Sequence, residues 1–353
     1  MGEPPVNGCW ATTNAIQNGC EGFTRRPFTV IMTVHPGTNT GNSHRSTAEG
    51  GIMKVFVTGA NGYIGLNVAS AFRRAGHEVW GLVRSEKKAH AIAMHEIRPV
   101  VGSMQHPESY QTIAEQCAVL IHAAVDYQAD TFSLDRRTME VLLAIGAHGL
   151  QPKTVVYTSG AWVYGDTLGK TVDEGAPLKP SPLIADRPDI EQMVLKALGV
   201  RSVVVRPGCA YGRQGGLTGM WFDGPDKGRP LQVIGDGSNH WAMVHVDDLG
   251  DGYLRAVERG LSGEVFNLTD QSRSTVREMA DAVARVTGYT GQTQFVSTGE
   301  ASYVLDGFAE CLTLDQCVDS GKAARLLGWQ PKHHGFIGEV DTYFQSWKAA
   351  QYA

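Results

Sequence analysis

Beyond Met53 the chain alternates between two hydrophobic patterns. Short apolar or β-branched runs at 54–58, 78–83, 98–101, 118–123, 154–158 and 202–206 read as strands. Between them, helical spacing of apolar positions predicts helices over 64–75, 86–96 and most of 126–150, with Gly76 placed to stop the first. Strands that are apolar on both faces belong to parallel sheets covered by helices on each side. The expected fold class is therefore α/β, a doubly wound parallel sheet. After Pro207 the spacing loosens, 212–237 is glycine-rich, and short strands and helices intermix. This predicts a sheet domain over 53–210 and a smaller mixed lobe over 211–353, with segments of the lobe returning to the sheet domain.

The residues before Met53 follow neither pattern. They are rich in Gly, Asn, Thr and Pro, and their one strand-like run, 28–34, is bordered by His35-Pro36. Such a composition buries too little apolar surface to offset chain entropy. With three arginines against three glutamates, and no amphipathic helix or basic start with an apolar core, the segment fits a transit or secretory signal poorly. The expectation for 1–52 is a disordered leader, or a segment translated upstream of a true start at Met53.

Charge and composition narrow the function. Lys and Arg number 31 against 36 Asp and Glu, a net charge of -5, so no basic stripe points to nucleic acid. No apolar run is long enough to cross a membrane. The six cysteines are dispersed, lack metal-ligand spacing, and read as reduced thiols of a cytoplasmic protein. No His/Cys/acid constellation suggests a metal site.

The strongest chemical feature is Thr58-Gly59-Ala60-Asn61-Gly62-Tyr63-Ile64-Gly65, between the first strand and the first helix. Gly59 permits a tight turn, Gly62 lets the backbone approach a pyrophosphate, and Gly65 allows close packing of helix on strand. The helix N-terminus then directs N–H groups at the anion. This is the dinucleotide loop of a Rossmann-type sheet. The second strand ends in Arg84-Ser85, with Lys87 and Lys88 beyond, where a carboxylate would favour NAD. A guanidinium and a hydroxyl suit the 2′-phosphate of NADP, with NAD kept as the alternative.

Further motifs join the glycine loop: Ile121-His122-Ala123-Ala124, the run from Tyr157 to Gly165 (YTSGAWVYG), Asp173-Glu174, Arg206-Pro207-Gly208, His245-Val246-Asp247-Asp248 and Leu327-Gly328-Trp329-Gln330-Pro331. In this order they resemble the extended short-chain dehydrogenase/reductase family, the NAD-dependent epimerase/dehydratase group. The resemblance covers roughly 54–331. It implies a Rossmann domain with NADP or NAD, a small-molecule substrate held by the C-terminal lobe, and a homodimer as a possible assembly. It assigns the cofactor to Gly59, Asn61, Gly62, Tyr63, Ile64, Gly65, Arg84, Ser85, Lys88, Ala123, Ala124, Arg187, Pro207 and Gly208.

At the catalytic centre the chain departs from the family. Family enzymes use a Ser or Thr, then a Tyr and a Lys four residues later. Placing Glu191 on the family's glutamate puts Leu183 at the Tyr position, Arg187 at the Lys position and Gly160 at the hydroxyl position. The expected catalytic residues are then Ser159, Tyr164 and Arg187. Arg187 supplies charge and ribose contacts but no titrating proton, which must come from Ser159, Tyr164 or a water they hold. Asp126 is expected to cap a helix, His240 to be solvated or to touch substrate, and His245, Asp247 and Asp248 to be architectural. Family members acting on nucleotide sugars commonly carry an Arg where this chain has Trp241. With Trp221 and Phe222, Trp241 suggests an apolar or aromatic substrate pocket. Three functions remain open: an NAD(P)-dependent oxidoreductase on a small, apolar carbonyl or alcohol, an epimerase/dehydratase, or a catalytically lapsed NADP-binding sensor.

Overall fold

A computed structural model describes residues 51–126 and 130–352. The expected leader, apart from its last two residues, and its run at 28–34 lie outside the described residues. Seven strands form one parallel sheet: β1 (Lys54–Thr58), β2 (Glu78–Val83), β3 (Arg98–Val101), β4 (Val119–His122), β5 (Thr154–Thr158), β6 (Arg201–Pro207) and β7 (Glu264–Leu268). Their order across the sheet is β7-β6-β5-β4-β1-β2-β3. The order reverses beside β1, which puts the ligand crevice at the carboxyl ends of β1 and β4.

Helices cover both faces. On one side α1 (Tyr63–Arg74) lies against α7 (Val246–Glu258), and Val55 and Val57 of β1 pack with Phe72, Leu249 and Tyr253. On the other, Phe56 packs with Tyr110, Leu120 and Leu142, below α4 (Thr131–Ala147). Alternate residues of one strand thus enter two cores, and each large side chain so buried contributes about 1.5–3 kcal/mol. The first helix stops as its sequence predicts: Gly76, at φ +89°, donates its N–H back to the Arg73 carbonyl.

The start of α4 differs from expectation. It begins at Thr131, capped by Asp130, whose side chain accepts the Ser133 N–H. Asp126 is not the cap; its carboxylate sits 3.0 Å from Arg84 across the crevice. The large sheet also draws β7 and α7 from beyond residue 210.

The smaller lobe is built from α6 (Gly219–Asp226), α8 (Val276–Thr287), the helix Val340–Ala350 and short strand pairs such as Gln232–Ile234 with Gln294–Val296. Trp221 stacks on Trp241 with ring centroids 5.0 Å apart, and the Trp241 indole N–H donates to the Leu312 carbonyl. Phe222 joins them against Phe336. These aromatics are buried as the lobe's core, and none of them lines the ligand cavity described below. Their expected place in a substrate pocket is therefore corrected: side chains of this size, packed ring on ring, have no face left for a ligand.

The motif from His245 to Asp248 is architectural. The His245 ring caps α7 by accepting the Asp247 N–H, and it stacks on His333 at 3.6 Å. Asp248 accepts the backbone N–H groups of Lys332 and His333, and its carbonyl receives the Trp329 indole. In this way the Leu-Gly-Trp-Gln-Pro segment is pinned to α7.

Candidate active site

The glycine loop is shaped by close backbone contacts. Gly59 has φ +68°, and a Cβ there would lie 2.6 Å from the Ala123 carbonyl oxygen and 2.8 Å from the Ala124 Cα. A Cβ on Gly65 would overlap the Gly59 carbonyl, whereas one on Gly62 would come to 3.1 Å of it. No side chain caps the N-terminus of α1, and no acid lies in its first turn. With Asn61 and Gly62 in the preceding turn, the helix's first N–H groups are left directed at an anion. These features fit a dinucleotide pyrophosphate.

At the end of β2, the Arg84 guanidinium is largely exposed and pairs with Asp126. The Ser85 hydroxyl accepts the Lys88 N–H and so caps the next helix, Glu86–Ala93; the Lys88 side chain is exposed. Arg84 is thus presented at the crevice, while the Ser85 hydroxyl has a structural task.

A cavity of about 270 Å³ opens where β4, β5 and β6 end. Tyr63, Ile64, Ser159, Arg187, Pro207 and Gly208, all expected at the site, line it together. Phe132, Trp162, Leu183 and Phe308 supply an apolar wall, and Trp162 meets Phe308 edge to face at 5.2 Å. Leu183 and Arg187, expected from the sequence at the family's Tyr and Lys positions, both line this space. The Arg187 guanidinium donates to the Ser159 carbonyl at 2.6 Å, from the first turn of α5 (Arg187–Leu195). The Ser159 Oγ is buried and has no hydrogen-bond partner among the described residues. A buried hydroxyl left unpaired costs about 1–3 kcal/mol, which a ligand acceptor recovers.

Tyr164 lies elsewhere. Its hydroxyl accepts from Arg206 at 2.7 Å and donates to the Asn267 side-chain oxygen at 2.8 Å. Arg206 in turn makes a two-pronged contact with Glu191, at 2.9 and 2.5 Å. Burial pushes the Tyr164 phenol up to about 12, against the opposing effect of Arg206. Tyr164 does not line the cavity; its hydroxyl is used in satisfying a buried arginine. His240 is also outside, its ring and its N–H both bonded to Asp315. A larger surface depression, about 820 Å³, lies between Tyr289 and Glu300. Its acid, Glu300, is occupied in capping the helix Thr298–Leu305.

Sequence reasoning missed one cluster in the wall. Asp135 of α4 lines the cavity, accepting from the His122 Nε2 at 2.7 Å and from the Tyr157 hydroxyl at 2.8 Å. His122 Nδ1 meets the Thr58 hydroxyl at 2.7 Å, and that hydroxyl accepts the Ala123 N–H. Burial works to raise the Asp135 carboxyl, but the His122 hydrogen bond and charge, with Arg187 and Tyr157 adding to them, hold it below the usual carboxylate range. The available signal was His122 itself, one polar residue inside an apolar strand that requires a partner.

Known proteins are similar across this whole unit. A ketoreductase of Stigmatella aurantiaca, named for 4-hydroxy-2-methyl-3-oxo-4-farnesyl-3,4-dihydroquinoline-1-oxide, is 30% identical over 246 residues, 67% of this chain and 74% of its own length. The UDP-glucose 4-epimerase of Mycolicibacterium smegmatis is 25% identical over 305 residues, 79% of this chain and 94% of its own. Among solved structures, a UDP-glucose 4-epimerase from Thermotoga maritima with UDP-glucose superposes with TM-score 0.72 at 20% identity. That likeness covers 85% of this chain and 100% of the other, and it is one of fold. The sequence pattern of the NAD dependent epimerase/dehydratase family matches residues 55–269, from β1 through β7 and so through the glycine loop and the cavity. The chain belongs to the NAD-dependent epimerase/dehydratase family.

Proposed function

We propose that this family member is an NADP-dependent oxidoreductase acting on a small, apolar carbonyl or alcohol. The observation that carries the reading is the cavity itself. Its wall is mostly apolar, and it brings Ser159, whose buried hydroxyl has no partner among the described residues, together with Arg187 at the end of the crevice that begins at the glycine loop. The residues present fit the cofactor. Gly59, Gly62, Gly65 and the open α1 terminus would hold the pyrophosphate, Ala123 and Ala124 would back it, Arg84 would take the 2′-phosphate, and Pro207-Gly208 would face the nicotinamide. When bound, NADPH supplies the hydride.

The chain's own groups then act on the substrate oxygen. The Ser159 hydroxyl donates a hydrogen bond to it, and the positive charge of Arg187 stabilises the negative charge that develops there. Phe132, Trp162, Leu183 and Phe308 exclude water from the reacting carbon, which strengthens both interactions. The ketoreductase relative is named for a 3-oxo ring compound carrying a farnesyl chain, in keeping with an apolar ketone here. Nucleotide sugars fit less well, because Trp241, at the position where their enzymes commonly carry an Arg, is buried in the lobe core. The test is NADPH consumption over a panel of aliphatic and aromatic ketones, with Ser159→Ala beside the parent. Loss of one such donor is expected to lower kcat by about 10²–10³-fold. An active parent whose Ser159→Ala variant is equally fast would remove Ser159 from the site. Tight binding of a UDP- or GDP-sugar in calorimetry would favour the epimerase/dehydratase reading.

A further inference from the structure

On that oxidoreductase reading, we propose that Asp135, held by His122 and Tyr157, is the group that exchanges a proton with the substrate oxygen. The chemistry requires such a group, and the usual tyrosine position holds Leu183. Ser159 can pass a proton but must then be resupplied. Among the described residues lining the cavity, the other candidates are committed. The Tyr63 hydroxyl donates to the Gly212 carbonyl, and burial holds it protonated. The Cys209 thiol is pushed up to about 12 by burial. Arg187 contributes charge rather than a transferable proton. Asp135 remains.

Its geometry suits the task. One carboxylate oxygen takes the His122 Nε2 and the other the Tyr157 hydroxyl, so the side chain is fixed while each oxygen keeps a lone pair for the cavity. The low carboxyl makes the ionised form the resting one, so His122 donates to it through Nε2 while its Nδ1 meets the Thr58 hydroxyl. Thr58 directly precedes Gly59, which ties this chain of hydrogen bonds to the cofactor loop. Asp135 and Arg187 also line one cavity without closing into an ion pair within 4.0 Å. A polar substrate group lying between them can meet both charges.

The step balances in either direction. In oxidation the alcohol O–H bond breaks and its proton goes to the Asp135 carboxylate. The carbon–hydrogen bond breaks with its electron pair going to NADP⁺, and the carbonyl forms. In reduction the resting Asp135 carboxylate first takes a proton from water, the carbonyl carbon takes the hydride from NADPH, and the Asp135 O–H bond breaks to place that proton on the new alcohol. Asp135 is then back in its ionised form. The charged and titratable groups facing it are His122 from β4, Tyr157 from β5 and Arg187 from α5.

The experiment uses the full chain with Asp135→Asn and Asp135→Ala. NADPH affinity by fluorescence titration is expected to stay near the parent's, while kcat of the folded variants falls by about 10²–10⁴-fold. The melting temperature should stay close in Asp135→Asn but fall in Asp135→Ala, which strands His122 and Tyr157. Added formate should restore part of the Asp135→Ala turnover in a concentration-dependent way, which a merely structural carboxylate would not show. Tyr157→Phe keeps the carboxylate but removes one donor, so the acid limb of alcohol oxidation should move to higher pH. Parental turnover in Asp135→Asn, absence of formate rescue in a folded Asp135→Ala, or an unmoved limb in Tyr157→Phe would overturn the proposal. A parent that binds NADPH but turns over no carbonyl or alcohol would overturn the oxidoreductase reading and this one together.

Discussion

Arg84→Ala is the sharpest probe of cofactor choice. In the free protein the guanidinium is 3.0 Å from Asp126, but its side chain is 64% exposed, so that pair is worth only about 0–1 kcal/mol. Against a 2′-phosphate the same group makes a charge-assisted hydrogen bond worth about 1.5–3 kcal/mol. Releasing Asp126 offsets part of that gain, leaving a net of about 0.5–3 kcal/mol, or roughly 2- to 160-fold in Kd. NAD has no phosphate to lose. NADP affinity should therefore drop by that factor while NAD affinity holds. Calorimetric titration of both cofactors into parent and variant, at one fixed salt concentration, measures the two changes side by side. Equal weakening of NADP and NAD would place Arg84 away from the 2′-phosphate and refute the reasoning.

Other substitutions separate site from scaffold. Gly59→Ala places a Cβ 2.6 Å from the Ala123 carbonyl at a φ of +68°, so a stability loss of about 1–3 kcal/mol is expected. NADPH affinity should fall with it; a variant that melts and binds like the parent would mean the loop relaxes freely. Tyr164→Phe strands Arg206 and Asn267, at a cost of about 1–3 kcal/mol in urea unfolding. Turnover well below its melting temperature should be unchanged, and lost turnover at full stability would return Tyr164 to the catalytic group. Trp241→Ala should cost about 3–5 kcal/mol as a core cavity, while the surviving fold keeps its NADPH affinity and substrate preference. A changed substrate preference at parental stability would restore Trp241 to the pocket wall.

Much of the sheet was readable because parallel strands are buried on both faces and so announce themselves as continuous apolar runs. The runs at 78–83, 98–101 and 154–158 coincide with strands residue for residue. Helix ends were less legible: the sequence pointed to Asp126 as the cap, whereas the Ser133 contact shows that Asp130, four residues later, caps α4. Apolar type alone does not separate a core from a pocket wall, which is why Trp221, Phe222 and Trp241 pointed to a pocket while Phe132, Trp162, Leu183 and Phe308 form one. Tyr164 looked available because its partners, Arg206 and Asn267, lie 42 and 103 residues away. Asp135 carried no local mark at all. Its meaning depends on His122 and Tyr157, brought beside it by the pairing of β4 with β5.

Isotope transfer tests the central claim most directly. NADPH carrying deuterium at the transferring carbon is incubated with the full chain and an apolar ketone, and the product is analysed by mass and NMR. The expected result is stoichiometric NADPH consumption, with one deuterium at the carbinol carbon of a single alcohol enantiomer. An enzyme that binds NADPH yet delivers no deuterium to any ketone, or that returns the label to tightly retained cofactor while inverting a substrate centre, would contradict the oxidoreductase assignment.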